Sequence, residues 1–127
     1  MEKRRINSEH APDAAGGYAQ AIEVSGATRR LYVSGQIPVA RDGTLPTDFP
    51  SQARQAWANV EAQLVAGDMT LDDLVKVTIF LSDRQYNLQN REIRNEVLGD
   101  RQPALTVIIT GIFDDAWLLE IEAIAEA

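Results

Sequence analysis

The chain has no cysteine and a single histidine, His10, among its 127 residues. Without cysteine there can be no disulfide, no thiolate nucleophile and no Cys-based metal site, and one histidine cannot build a histidine cluster. Neither a metal nor a cofactor is expected. Long apolar runs are missing too: no stretch approaches the ~18 residues that a membrane helix needs. The basic opening Met1-Glu-Lys-Arg-Arg has no apolar segment behind it that would make a secretory signal. A cytoplasmic protein with no membrane partner is expected. Positive charge is also in short supply, with 12 Lys and Arg against 19 Asp and Glu and a net charge of −7. Binding a polyanion calls for clustered Lys and Arg that displace counterions from phosphates, so nucleic acid is not an expected partner. The Rossmann, P-loop and HExxH patterns are absent, as are internal repeats and low-complexity tracts.

What is present is an ordinary globular composition, 45% hydrophobic and 24% charged, in a length that makes one domain spanning residues 1–127. The segments 21–25 and 30–34 predict two short strands around a turn at Gly26, a candidate hairpin. Punctuation by Asp42, Gly43, Pro46, Asp48 and Pro50 marks a loop, after which Ser51 is positioned to cap a helix. In that helix Ala53, Ala56, Trp57, Val60 and Leu64 recur at spacings of three and four, with Gln52 off the stripe and Gly67 as the stop. The β-branched run 74–81 reads as a central strand. A second helix follows from Asp83 to Leu98, with Tyr86, Asn90, Ile93 and Val97 on one face and Gly99 ending it. Beyond Pro103, residues 104–110 and 118–125 read as two more strands. The order β-β-α-β-α-β-β predicts an α/β (α+β) fold with two helices on one face of a mixed sheet.

Side chains alternate along a strand, so each strand divides into two faces. Val75, Val77, Ile79 and Leu81 share one, as do Leu119, Ile121, Ala123 and Ala125, and these should pack on the helices. The opposite faces carry Lys76, Thr78 and Phe80 in one strand and Leu118, Glu120, Glu122 and Ile124 in the other. Two helices cover only one side of a sheet, so this mixed side is either solvated or packed on another chain, and its apolar bulk favours the second. Lys76 opposite Glu122 is expected to be a structural ion pair.

Four segments, taken in order, are similar to those of one family over nearly the whole chain. They are Ala11-Pro12 with Gly16-Gly-Tyr-Ala-Gln-Ala21, Leu31-Tyr-Val-Ser-Gly-Gln-Ile-Pro38, Val75-Lys-Val-Thr-Ile-Phe-Leu81, and Pro103-Ala104 with Glu120-Ile-Glu-Ala-Ile-Ala125. The chain resembles the Rid, or YjgF-type, family. That resemblance implies a chorismate-mutase-like fold assembled as a homotrimer through its sheets, with small metabolites bound in clefts between subunits. In the RidA branch it also implies hydrolysis of enamines and imines to ammonia and a 2-keto acid without a cofactor. Carried over to matching positions, Tyr18 lines the pocket, Ser34 and Gly35 offer backbone contacts, Asn90 is a polar wall residue and Glu120 is the catalytic candidate, able to hold a water and move its proton. The mixed face becomes the wall of the clefts.

The chain departs from that branch at Leu105, where the RidA type carries an arginine that grips the substrate carboxylate in a bidentate fork. Leucine supplies no donor and no charge, so the family's usual substrate should bind poorly. Val107 stands where that branch often has cysteine, a milder change. Arg91, Arg94 and Arg101 are near enough in sequence to substitute. Two functions remain open at this point: a deaminase-type hydrolase with altered substrate preference, and a trimer of the same fold that binds a metabolite or a partner without chemistry. RNA cleavage, a label sometimes attached to the family, fits poorly with an acidic chain that has no histidine in the matched segments.

Overall fold

A computed structural model describes all residues 1–127. Its elements in chain order are β1 (Glu2–Ile6), β2 (Ala21–Ser25), β3 (Arg30–Gln36), α1 (Phe49–Ala66), β4 (Leu74–Leu81), α2 (Asn87–Leu98), β5 (Ala104–Ile109) and β6 (Leu119–Glu126). This is the expected α+β order with one more strand at the start. A four-stranded sheet runs β3-β6-β4-β5, with β4 antiparallel to β6 and parallel to β5. β4 is therefore internal, as its apolar run predicts.

The expected hairpin does not form. β2 pairs antiparallel with β1 in a separate ribbon, whereas β3 pairs with β6 in the main sheet. Gly26 does turn the chain at φ +72°, but the backbone N–H groups of Thr28 and Arg29 then both donate to the Ala127 carbonyl at 2.9 Å. That carries β3 away from β2 to the end of β6, where Val33 can enter the core beside Ala123.

The expected helical stripe of α1 is buried as a whole: Ala53, Ala56, Trp57, Val60 and Leu64 are each at most 1% exposed. Two details differ. Asp48, not Ser51, is the N-cap, and its Oδ2 accepts from the Ser51 amide at 3.0 Å. Pro50 sits in the first turn, where a missing N–H costs nothing. The hydrogen bond from the Ser51 backbone N–H holds the Asp48 carboxyl below its usual range. Gln52 is buried rather than peripheral. Its Nε2 donates to the carbonyls of Pro46 and Ala116 at 2.9 and 3.0 Å, and its Oε1 accepts from the Leu118 amide at 2.8 Å. One satisfied polar side chain thus ties the loops before α1 and before β6 to the core.

The second helix opens with a 3-10 turn at Arg84–Tyr86 capped by Asp83, continues as α2 and ends at Gly99 with φ +58°. Its buried face comprises Asn90, Ile93, Arg94 and Leu98, so Arg94 is buried where Val97 is only partly covered. α1 packs on β3 and β6, and α2 packs on α1. The core lies between these helices and one face of the sheet, and includes Val77, Ile79, Leu81, Leu119, Ile121, Ala123 and Ala125. No helix is long and apolar enough to cross a membrane.

Candidate functional site

The sheet face turned away from the helices carries Tyr32 on β3, Glu120, Glu122 and Ile124 on β6, and Lys76, Thr78 and Phe80 on β4, registered side by side. Tyr32 is 68% exposed, so this chain leaves its own mixed face open. Between Val33 and Gln36 the β3–β6 register slips, because two residues, Ser34 and Gly35, oppose the single Glu122. Such a bulge redirects side chains locally. Here it brings Gly35 under the Glu120 side chain: a Cβ on Gly35 would stand 2.7 Å from the Glu120 carboxyl carbon and 2.9 Å from its Oε1. Glu120 occupies that position because residue 35 has no side chain.

A hollow of about 280 Å³ lies alongside, lined by Ser34, Lys76, Thr78 and Glu122 together with Tyr32 and Ile124. The expected Lys76–Glu122 ion pair is not made. The Lys76 ammonium instead donates to the Thr106 hydroxyl at 2.6 Å. Burial lowers the Lys76 pKa, and the charge of Glu122 opposes that shift. Glu122 on β6 and Thr106 on β5 are both registered with Thr78, one pair from Lys76 and on opposite flanks of β4, and the ammonium turns to the β5 side.

Gly35→Ala tests the Gly35–Glu120 contact. The atoms in the way are the far end of a flexible side chain, so the fold should survive with its thermal midpoint little changed, while the carboxylate must swing aside. A structure of the variant is expected to show a different Glu120 rotamer, and any Glu120-dependent rate should fall. An unmoved carboxylate would remove the role assigned to the glycine.

The other side of the sheet presents a different arrangement. Leu105 is registered with Val77 and Val107 with Ile79, so both lie on the helix side, at the sheet edge formed by β5. They line a second hollow, of about 250 Å³, with Tyr18 from the N-terminal loop and Asn87, Arg91 and Arg94 from α2. The Ala19 amide donates to the Pro103 carbonyl at 3.1 Å, which seats Tyr18 beside the start of β5. Asn90 is 1% exposed, and its Oδ1 is buried without a hydrogen-bond partner. It lies inside the fold next to this hollow rather than on its wall. Arg101 is held elsewhere, its Nε 2.7 Å from Asp72 Oδ1.

The expected site residues therefore separate into two groups. Ser34, Gly35 and Glu120 belong to the open face, and Tyr18, Leu105 and Val107 to the helix-side hollow, with Asn90 buried beside it. The expectation that Leu105 shares one wall with Glu120 is corrected by the register: Glu120 pairs with Phe80, whose side chain points opposite to those of Val77 and Ile79. Of the three arginines near enough in sequence to substitute, Arg91 and Arg94 line this hollow and Arg101 does not; Asn87, not expected there, joins them because the spacing of four and three puts all three on one helical stripe.

A sequence profile of the family described as Endoribonuclease L-PSP matches residues 8–127. The chain belongs to this family, that of the Rid proteins. It is 35% identical to a RutC family protein of Pyrococcus horikoshii, with 97% of each chain covered. It is 38% identical to the 2-iminobutanoate/2-iminopropanoate deaminase of Escherichia coli over 63% of this chain and 61% of that one. Among solved structures, the Rid family protein YyfB of Yersinia pestis superposes with a TM-score of 0.85 at 25% identity, each chain wholly covered. Escherichia coli TdcF, solved with bound serine, gives a TM-score of 0.72 at 30% identity with 98% of each chain covered. The α+β fold is thus that of the Rid proteins.

Proposed function

We propose that this Rid protein is a cofactor-independent deaminase of small imines or enamines, working in the cytoplasm as a homotrimer with its sites in the clefts between subunits. Glu120 is the catalytic base and then the acid. Its carboxylate takes a proton from a water as the water oxygen adds to the C=N carbon. The imine nitrogen, already protonated by solvent, becomes the amine of a carbinolamine; the carboxylate returns its proton to that nitrogen, the C–N bond breaks as ammonia leaves, and the carbinolamine O–H proton passes to the carboxylate as C=O forms, giving a carbonyl compound and ammonia. An enamine enters the same sequence once its β-carbon is protonated.

The observation that carries this reading is the separation of the two residue groups on opposite faces of one sheet. No single chain can bring Glu120 and the hollow of Tyr18, Leu105 and Val107 to one small substrate. A neighbouring copy whose open face meets the β5 edge can do so, and it would also cover the exposed Tyr32 and the apolar groups around it. The relatives named as an imine deaminase and as a serine complex support a small amino-acid-derived ligand. Ser34 and Gly35 then contribute backbone contacts on the Glu120 side, and Asn90 supports the other wall. Leu105 offers no guanidinium to the substrate, so its end is held differently from that in an arginine-bearing relative.

The test is ammonia release from freshly generated 2-iminopropanoate, 2-iminobutanoate and neutral imines, measured against the uncatalysed rate. Acceleration of at least one of these is expected. Rates equal to background for the whole panel would leave a binding protein without chemistry in its place.

A further inference from the structure

The hollow beside Leu105 has a charge balance opposite to that of the chain as a whole. In a chain of net charge −7, it is lined by two arginines and by no carboxylate. The ion pairs of the structure use Arg4, Arg30, Arg54 and Arg101, and neither Arg91 nor Arg94 takes part in one. Arg94 is only 3% exposed. Its Nη2 donates to the Gly16 carbonyl, but its Nε is buried with no hydrogen-bond partner. A buried guanidinium with an unmet donor and a second cation beside it is costly unless an anion is present. Burial accordingly pushes the Arg94 pKa down, and the charge of Arg91 pushes it the same way.

The loop over the hollow is shaped to leave these groups in place. Gly16 and Gly17 have φ of +94° and +84°, a region that side-chain-bearing residues rarely adopt. A Cβ on Gly16 would stand 3.0 Å from Arg91 Nε, and one on Gly17 would stand 2.6 Å from Asn95 Oδ1. The chain thus crosses α2 directly over Arg91 as backbone alone. The Gly16 backbone lies close against Arg91, and Arg94 donates to the Gly16 carbonyl, while Leu105 and Val107 supply an apolar floor. Two guanidinium groups one helical turn apart match a carboxylate in charge and in hydrogen-bond capacity.

We infer that Arg91 and Arg94 of α2 form the carboxylate-binding site of this chain, so that its substrates are small 2-imino acids, and the matching 2-keto acids its products, gripped from the helix rather than from β5. This rests on the deaminase reading for the reaction, but not for the binding.

The inference is tested by calorimetric titration of the assembled protein with 2-oxobutanoate, a stable keto acid, and with butanone, which has the same chain length and no carboxylate. The keto acid is expected to bind at least tenfold more tightly than butanone. Arg91→Gln and Arg94→Gln should each remove that preference and leave butanone binding unchanged. Equal binding of the two probes, or a preference that survives both substitutions, would overturn the site. Should Arg94→Gln fail to fold, Arg91→Gln decides alone, because Arg91 is an exposed residue of α2 whose loss leaves the core intact. Binding that depends on the arginines in a protein that releases no ammonia would sustain this site and defeat the reaction. Ammonia release indifferent to both arginines would do the reverse.

Discussion

Glu120→Gln is expected to lower ammonia release by about 10²–10⁴-fold, the usual worth of a positioned general acid–base group, with the fold and the assembly unchanged. Glutamine keeps the size of the side chain and its position over Gly35, but cannot accept the proton of the attacking water. Folding should be indifferent, since the carboxylates engaged in ion pairs are Glu23, Glu126, Glu96 and Asp72. Binding of 2-oxobutanoate should be retained, because the carboxylate site inferred at Arg91 and Arg94 does not include Glu120. The expected signature is therefore a fall in kcat with little change in KM. A rate unchanged by the substitution would exclude Glu120 as the proton carrier. Steady-state kinetics on 2-iminobutanoate, with circular dichroism as the control on folding, provide the measurement.

The sequence made the sheet and its two faces legible because burial there follows strict alternation. Val77, Ile79 and Leu81 on β4 and Leu119, Ile121, Ala123 and Ala125 on β6 are all buried, as period-two patterning requires. Strand β1 was not legible. Glu2-Lys-Arg-Arg has no apolar alternation, and its pairing with β2 rests on backbone hydrogen bonds and on Arg4 facing Glu23 across the ribbon. Gln52 looked like a surface residue because two of its three hydrogen-bond partners, Ala116 and Leu118, come from a segment distant in sequence. The same limit explains the site. Alternation along β5 shows that Leu105 and Val107 share a face, but which face depends on the register of β5 against β4, and a parallel pair has no short turn to announce that register. Once Leu105 is registered with Val77, its separation from Glu120 follows.

On the proposed reading that separation makes deaminase activity depend on assembly, and Ile124→Glu tests the dependence. Ile124 lies within the open face, registered with Tyr32 on one side and Lys76 on the other. In an isolated chain the new carboxylate would find water and the nearby Lys76 ammonium, so the domain should fold as before. In a trimer joined through this face it would be buried against a neighbour, and desolvating a charge without a matched partner costs several kcal/mol per subunit. The cost recurs at each interface, so the variant is expected to shift from three chain masses to one in light scattering while keeping its circular dichroism spectrum. Deaminase activity should vanish with the trimer, although Glu120, Tyr18, Arg91 and Arg94 are all intact, because Glu120 and the helix-side hollow would then have no common cleft. A wild-type protein that is monomeric and active, or an Ile124→Glu monomer that keeps its rate, would show that one chain completes the site by itself and would overturn the intersubunit cleft.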